Sequence, residues 1–257
     1  MPLFRAGARP RPRTTGEPGS ANGASSFHLR WRLPGTERDL TEVAAVLEVR
    51  RPPAVPRLHF WALQVSFAGG AGAHVGLQWN PRHPDNRAAN WGGYGAGGRL
   101  LDGTTSPLPS APDDPNTRDF PWEPGRRYRL RVAPTPGRPG WWRADICDLD
   151  NRDLEMGTPV VVRDLAGGGD RLFDPVVWSE VFACCDHPST TVRWSGLEAV
   201  TADGEGVRPD GVSVSYEPGS AGGCDNTTVV PDGDGFLQVT RAERTVAPGA
   251  VLGLSPV

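Results

Sequence analysis

The chain has 257 residues, with 27 basic against 30 acidic side chains for a net charge of -3, and with 33 Gly, 27 Pro, nine Trp and eight Phe. That length buries a core without help from metals or cross-links, and the aromatics supply apolar area that a disordered chain lacks. Near-neutral charge argues against a nucleic-acid partner, and no apolar run approaches the roughly 18 residues of a membrane span.

The N-terminus, MPLFRAGARPRPRTTGEPGSANGASS, carries Arg and Pro without the apolar segment of a secretory signal. Residues 1–24 are therefore expected to be a disordered tail, and the protein to be soluble and cytoplasmic. Every basic side chain is Arg, a bias of GC-rich coding such as that of actinobacteria.

From there on, short stretches of alternating apolar and polar residues recur between Gly, Pro, Asn and Asp, which is the strand signal. Strands are predicted over 27–33, 41–50, 58–67, 74–80, 127–133, 141–148, 158–164, 176–183, 190–200, 212–216 and 236–240. TEVAAVLEV, 41–49, is the one place where helix propensity competes. The fold class expected is all-β, an antiparallel β-sandwich of the jelly-roll, concanavalin A-like kind. Residues 25–201 form it, and 202–257 add strands and loops to the same domain.

Two hairpins can be put in register. Placing Phe67 opposite Val75 sets Val65 against Leu77 and Leu63 against Trp79, so bulky residues share one side while Gln64, Ser66, Gln78 and Asn80 share the other, with His74 at the edge. Placing Val132 opposite Trp142 sets Leu130 against Ala144 and Arg129 against Asp145. The first hairpin runs on into RHPDNRAANWGGYGAGGR, 82–99, a loop rich in Asn, Arg, Gly and aromatics.

Planar amides and Arg meet vicinal hydroxyls pairwise, and an aromatic ring covers the apolar face of a sugar. Gln64, Gln78, Asn80, Arg82 and Asn90 supply the polar groups, and Trp91 or Tyr94 the ring. LQWNPR followed by Asn and Trp resembles the galectin signature, and FPWEPGRRYRLRV resembles that family's strand entry. The resemblance spans 58–132. It implies hydrogen-bonding roles for Asn80, Arg82 and Asn86 or Asn90, Gln78 in place of a His, and a stacking role for Trp91. WGGYGAGGR departs from it in having no Glu after the Trp, with its Arg displaced to Arg99.

The function expected is a lectin-like module that binds a carbohydrate or another polyhydroxylated small molecule, with no cofactor, no metal, no nucleic acid and no membrane. The alternative is a glycan-active or small-molecule hydrolase or lyase with Glu180 as general acid/base. In VVWSEVFA that Glu alternates with Trp178 and Phe182, which by period points it to the apolar side and raises its pKa. A third reading is a protein-interaction domain that presents Trp91 and Trp122. Asp148, Asp150 and Asp153 lack the spacing of a calcium loop and read as a turn. Cys147, Cys184, Cys185 and Cys224 show no CxxC or zinc-type spacing, so no structural metal site is expected, and with no export signal in view free thiols are expected.

Overall fold

The computed structural model describes residues 12–21, 23, 26–35, 39–109, 114–151, 159–167 and 169–254. Its strands in chain order are β1 (Phe27–Arg32), β2 (Leu40–Arg51), β3 (His59–Phe67), β4 (Gly72–Trp79), β5 (Arg87–Tyr94), β6 (Thr117–Asp119), β7 (Arg127–Pro134) and β8 (Trp141–Asp148). They continue as β9 (Val160–Ala166), β10 (Leu172–Val181), β11 (Thr191–Thr201), β12 (Gly206–Val207), β13 (Gly211–Tyr216), β14 (Thr227–Asp232), β15 (Gly235–Thr240) and β16 (Val251–Gly253).

The protein is an antiparallel β-sandwich. One layer runs β16-β13-β1-β10-β3-β4-β5-β6 and the other β14-β15-β11-β2-β7-β8-β9, with β12 attached to β11. The pair Leu40–Leu172 joins the two layers. Alternation explains the core: Leu29, Trp61, Leu63, Val75, Leu77 and Trp91 of the first layer meet Val43, Leu47, Leu130, Trp142, Ile146 and Trp194 of the second. Each large side chain buried this way contributes about 1.5–3 kcal/mol.

Residues 40–51 form a strand despite their helix propensity. Val43, Ala45, Leu47 and Val49 alternate inward, and both edges of β2 are paired, with β7 and β11. The outward face of that layer is a ladder of ion pairs, among them Arg131 with Glu42 and Asp145, and Arg129 with Glu198.

Both hairpins shift from the expected register. In the first, Val75 pairs with Leu63, Leu77 with Trp61 and Trp79 with His59. Gly70, at φ +79°, reverses the chain inside 67–71, which draws Gly72 and Ala73 into the ladder. In the second, Val132 pairs with Ala144 and Arg131, not Arg129, faces Asp145. Both shifts are by an even number of residues, so every side chain keeps its face.

Three expectations are corrected. The loop expected over 82–99 contains a full strand, β5, with a 3-10 turn at Pro84–Asn86 before it. Cys185 and Cys224 form a disulfide, leaving Cys147 and Cys184 as thiols, and the Cys184 thiol is directed instead to the Glu17 carboxylate, to which it donates at 3.4 Å. Trp91 and Trp122 are both fully buried, so neither is a presented aromatic.

Of the segment expected as a tail, residues 13–17 are hydrogen-bonded to the domain: Arg13 N to Asp225, Gly16 N to Asp186, and Cys185 N to the Gly16 carbonyl. Strands from 206–253 extend both layers, β13 on β1 and β14 on β15. Asp148 and Asp150 accept from Arg126 and Arg127, while Asp153 lies outside the described residues. Among the described residues no helix is long and apolar enough to cross a membrane.

Candidate functional site

The outward face of the first layer is built of cross-strand rows. One row runs Arg30, Val176, Gln64, His74, Gly92; the next His28, Trp178, Ala62, Gly76, Asn90, Thr117; the third Glu180, Phe60, Gln78, Ala88, Asp119. In the middle row Ala62 and Gly76 leave a depression, because no longer side chain stands there. Around it lies a cleft of about 450 Å³ lined by Phe60, Gln64, His74, Gln78, Asn90, Tyr94, Asp114, Asn116, Trp178 and Glu180.

Most of the amides are held in fixed orientations. Trp178 Nε1 donates to Gln64 Oε1 at 3.0 Å, and Asn80 Nδ2 donates to Gln78 Oε1 at 2.9 Å. Each bond uses the acceptor end of a carboxamide that lines the cleft, so the NH₂ group is the end left to donate. Asn90 Nδ2 donates to Thr117 Oγ1 at 3.0 Å, and that hydroxyl donates to Asp114 Oδ2 at 2.7 Å. Asp114 also accepts from the Asn116 N–H and from Arg82. Its oxygens are thereby committed to holding the wall at 114–117.

Glu180 is in a different state. Burial, with the charge of Glu217 adding to it, lifts its carboxyl to about 7. His74 lies edge-on to Phe60 and Trp178, and burial pulls it down to about 4 despite the opposing influence of Asn90. His28 falls to about 4 from burial and from the charge of Arg30. Both imidazoles are neutral at pH 7.

Gln64, Gln78, Asn90 and Tyr94, expected to line a binding surface, thus share one cleft with Glu180. Asn80 and Arg82 line an adjoining pocket of about 440 Å³, which shares Gln78 and Asp114 with the cleft and adds Pro56, Arg57, Leu58, Pro81 and Phe182. Trp91 is the correction: it pairs with Val75 on the inward face while its neighbour Asn90 points outward, so it cannot stack on a ligand. Tyr94, 49% exposed, is the ring at the rim.

Glu180 does share a face with Trp178, but that face is the cleft and not the core. Val177, Ser179 and Val181 point inward instead. The small cluster of Phe60, Ala62, Val176 and Trp178 gives the outer face an apolar patch that reads as interior. Asp114 and Asn116 were missed, since PDDPNTRD carries no alternation and reads as loop.

No protein-family model matches the chain, and no curated protein matches it. Among solved structures, scytalido-glutamic peptidase with a peptide-based transition-state analogue aligns at TM-score 0.46 and 13% identity, covering 83% of this chain and 97% of that one. SCP-B, a member of the Eqolisin family of peptidases in complex with the tripeptide Ala-Ile-His, aligns at TM-score 0.45 and 12% identity, covering 84% and 98%.

Proposed function

We propose that the protein is a hydrolase of an amide or ester, with Glu180 as general acid/base and Gln78 as the donor that steadies the carbonyl oxygen. The observation that carries this reading is one row of the sheet: Glu180 and Gln78 flank Phe60, two strand spacings or roughly 10 Å apart between Cα atoms, with both side chains on the cleft. A carboxyl raised to about 7 is about half protonated at neutral pH and keeps its proton below it. In the reaction its protonated oxygen gives its proton to the substrate carbonyl oxygen while the other oxygen takes the proton of an attacking water, so the carboxyl ends the step protonated again. Water adds to the carbonyl carbon to give a gem-diol, and the Gln78 NH₂ donates to the carbonyl oxygen as partial negative charge develops on it in the transition state. Collapse of the adduct breaks the bond to the leaving atom, which receives the Glu180 proton while the other Glu180 oxygen takes a proton from a gem-diol hydroxyl, leaving a carboxylic acid product and Glu180 protonated as at the start.

A glycosidase would need a second carboxylate free to act across the bond. Asp114, the other carboxylate on the cleft, is occupied by Thr117, Asn116 and Arg82. Acyl transfer therefore fits better than glycoside cleavage.

Turnover is expected to fall at least about 100-fold in Glu180→Gln and about 100-fold in Gln78→Ala, with folded stability retained in the first. In the parent, kcat/KM should decline as pH rises through about 7, because the active form carries the proton. A screen of fluorogenic amides and esters across pH 4–9 tests both points; activity that survives Glu180→Gln removes this reading.

A second reading keeps the lectin-like module. It is favoured by the amides of Gln64, Asn90 and Asn116 together with the exposed ring of Tyr94 on one cleft, and glycan-array binding lost in Tyr94→Ala supports it. As to location, the Cys185–Cys224 cross-link fits an oxidising compartment better than the cytoplasm.

A further inference from the structure

We infer that Asn80 is a positioning residue: its side chain decides which end of the Gln78 carboxamide meets the substrate. This rests on the hydrolase reading for what Gln78 then does at the reacting carbonyl, and on hydrogen-bond geometry alone for the orientation itself.

A carboxamide has two ends of nearly equal shape, so half a turn about its last bond exchanges an acceptor for a donor. Only a hydrogen bond to a group of fixed polarity tells the ends apart. For Gln78 that group is reached in two steps. The Arg82 main-chain N–H lies 3.1 Å from one end of the Asn80 amide, and since it can only donate, that end is Oδ1. Asn80 Nδ2 is then the end 2.9 Å from Gln78, and because it too only donates, the atom it meets is Gln78 Oε1. The Gln78 NH₂ has no acceptor among the described residues and is left for a ligand. Turning Gln78 over would set NH₂ against NH₂ between side chains of residues only 5% and 7% exposed, where little water can relieve the mismatch.

The loop that carries Asn80 is braced. The Asn80 N–H donates to the Asn86 carbonyl and the His83 N–H to the Asn80 carbonyl, with Asp85 and Asn86 at φ +50° and +58°, a left-handed reversal that Asp and Asn tolerate. The buried His83 ring reaches Asp119 through Nδ1 at 2.6 Å and so ties the loop to β6. The indole N–H of Trp122, itself in the core, holds the Gln78 main-chain carbonyl. Residue 80 is thus fixed in place, and its chemistry sets the polarity of Gln78.

Asn80→Asp tests this, because it keeps the shape and removes the donor. Beside a carboxylate Gln78 should turn over to donate to it, and Oε1 should then face the substrate carbonyl. In the isotope-labelled full chain the Gln78 side-chain resonances, assigned by their absence in Gln78→Met, report the turn: exchange of one NH₂ proton with water should slow at least about tenfold. On the amide or ester that the screen identifies, kcat should fall about 100-fold at pH 7 while KM changes less than about threefold. As pH falls and residue 80 takes up a proton it donates again, so kcat relative to the parent should recover at least about tenfold over the interval in which the Gln78 resonances return. Arg57, Arg82 and Asp114 line the same pocket and Glu180 stands across Phe60; their charges move the midpoint of that recovery and not its sign. Asn80→Ser, too short to reach both partners, should lose about threefold to tenfold in kcat with no recovery in acid. Parental kcat in Asn80→Ser, unmoved Gln78 resonances in Asn80→Asp, or a loss in Asn80→Asp that acid does not relieve overturns the inference. Resonances that turn over in a protein whose parent cleaves none of the screened substrates remove the hydrolase reading and leave the orientation assigned to Asn80 standing.

Discussion

Gly76 shows how much a single position can decide. A Cβ at this residue would lie 2.0 Å from the Trp61 carbonyl oxygen and 2.8 Å from Ala62, and backbone cannot swing aside as a flexible side chain can. Only glycine permits β3 and β4 to run together beneath the depression. Gly76→Ala should cost about 3 kcal/mol in urea unfolding and raise the cleft floor at the same time; an unchanged midpoint would mean the strands have more freedom than this packing allows. Directly across from it on the neighbouring strand, Asn90 and the next residue, Trp91, illustrate the opposite case, adjacent residues with no shared surroundings. The first reaches Thr117 on the cleft, while the second is closed off among Val75 and its neighbours in the core.

At the scale of elements, alternation made the face of each strand legible but left register and edges open. The first hairpin slid because the pattern of bulky residues is equally satisfied at several even offsets, and the reversal at Gly70 chose among them. Gln64 and Gln78 were therefore grouped on one face despite the wrong pairing. Glu180 was placed beside Trp178, yet on the wrong side, because no local pattern tells an apolar patch on an outer face from the core. The short strand β6 and its preceding turn were illegible for another reason: three residues show no period, and what holds the wall is the side chain of Asp114. Asp114→Ala should cost about 1–3 kcal/mol and speed hydrogen exchange at the Asn116 amide. Exchange as slow as in the parent would show that the wall stands without this carboxylate.

For the molecule as a whole, the Cys185–Cys224 bond closes a loop of 39 residues between the end of β10 and the start of β14, strands of opposite layers. Limiting the unfolded chain by a loop of that length is worth about 4 kcal/mol in the loop-entropy account. Cys185→Ser with Cys224→Ser should lower the urea midpoint accordingly, and the parent should show the same loss in reductant. Insensitivity to reductant would mean that the two sulfurs are not joined in solution.

The sandwich also separates two kinds of inheritance. Along β3, β4 and β5, odd and even places answer to different judges: Leu63, Val75 and Trp91 to folding, Gln64, Gln78 and Asn90 to whatever enters from solvent. Lineages carrying this chain are thus able to rewrite ligand preference one outward letter at a time while the inward text stays legible to the folding process.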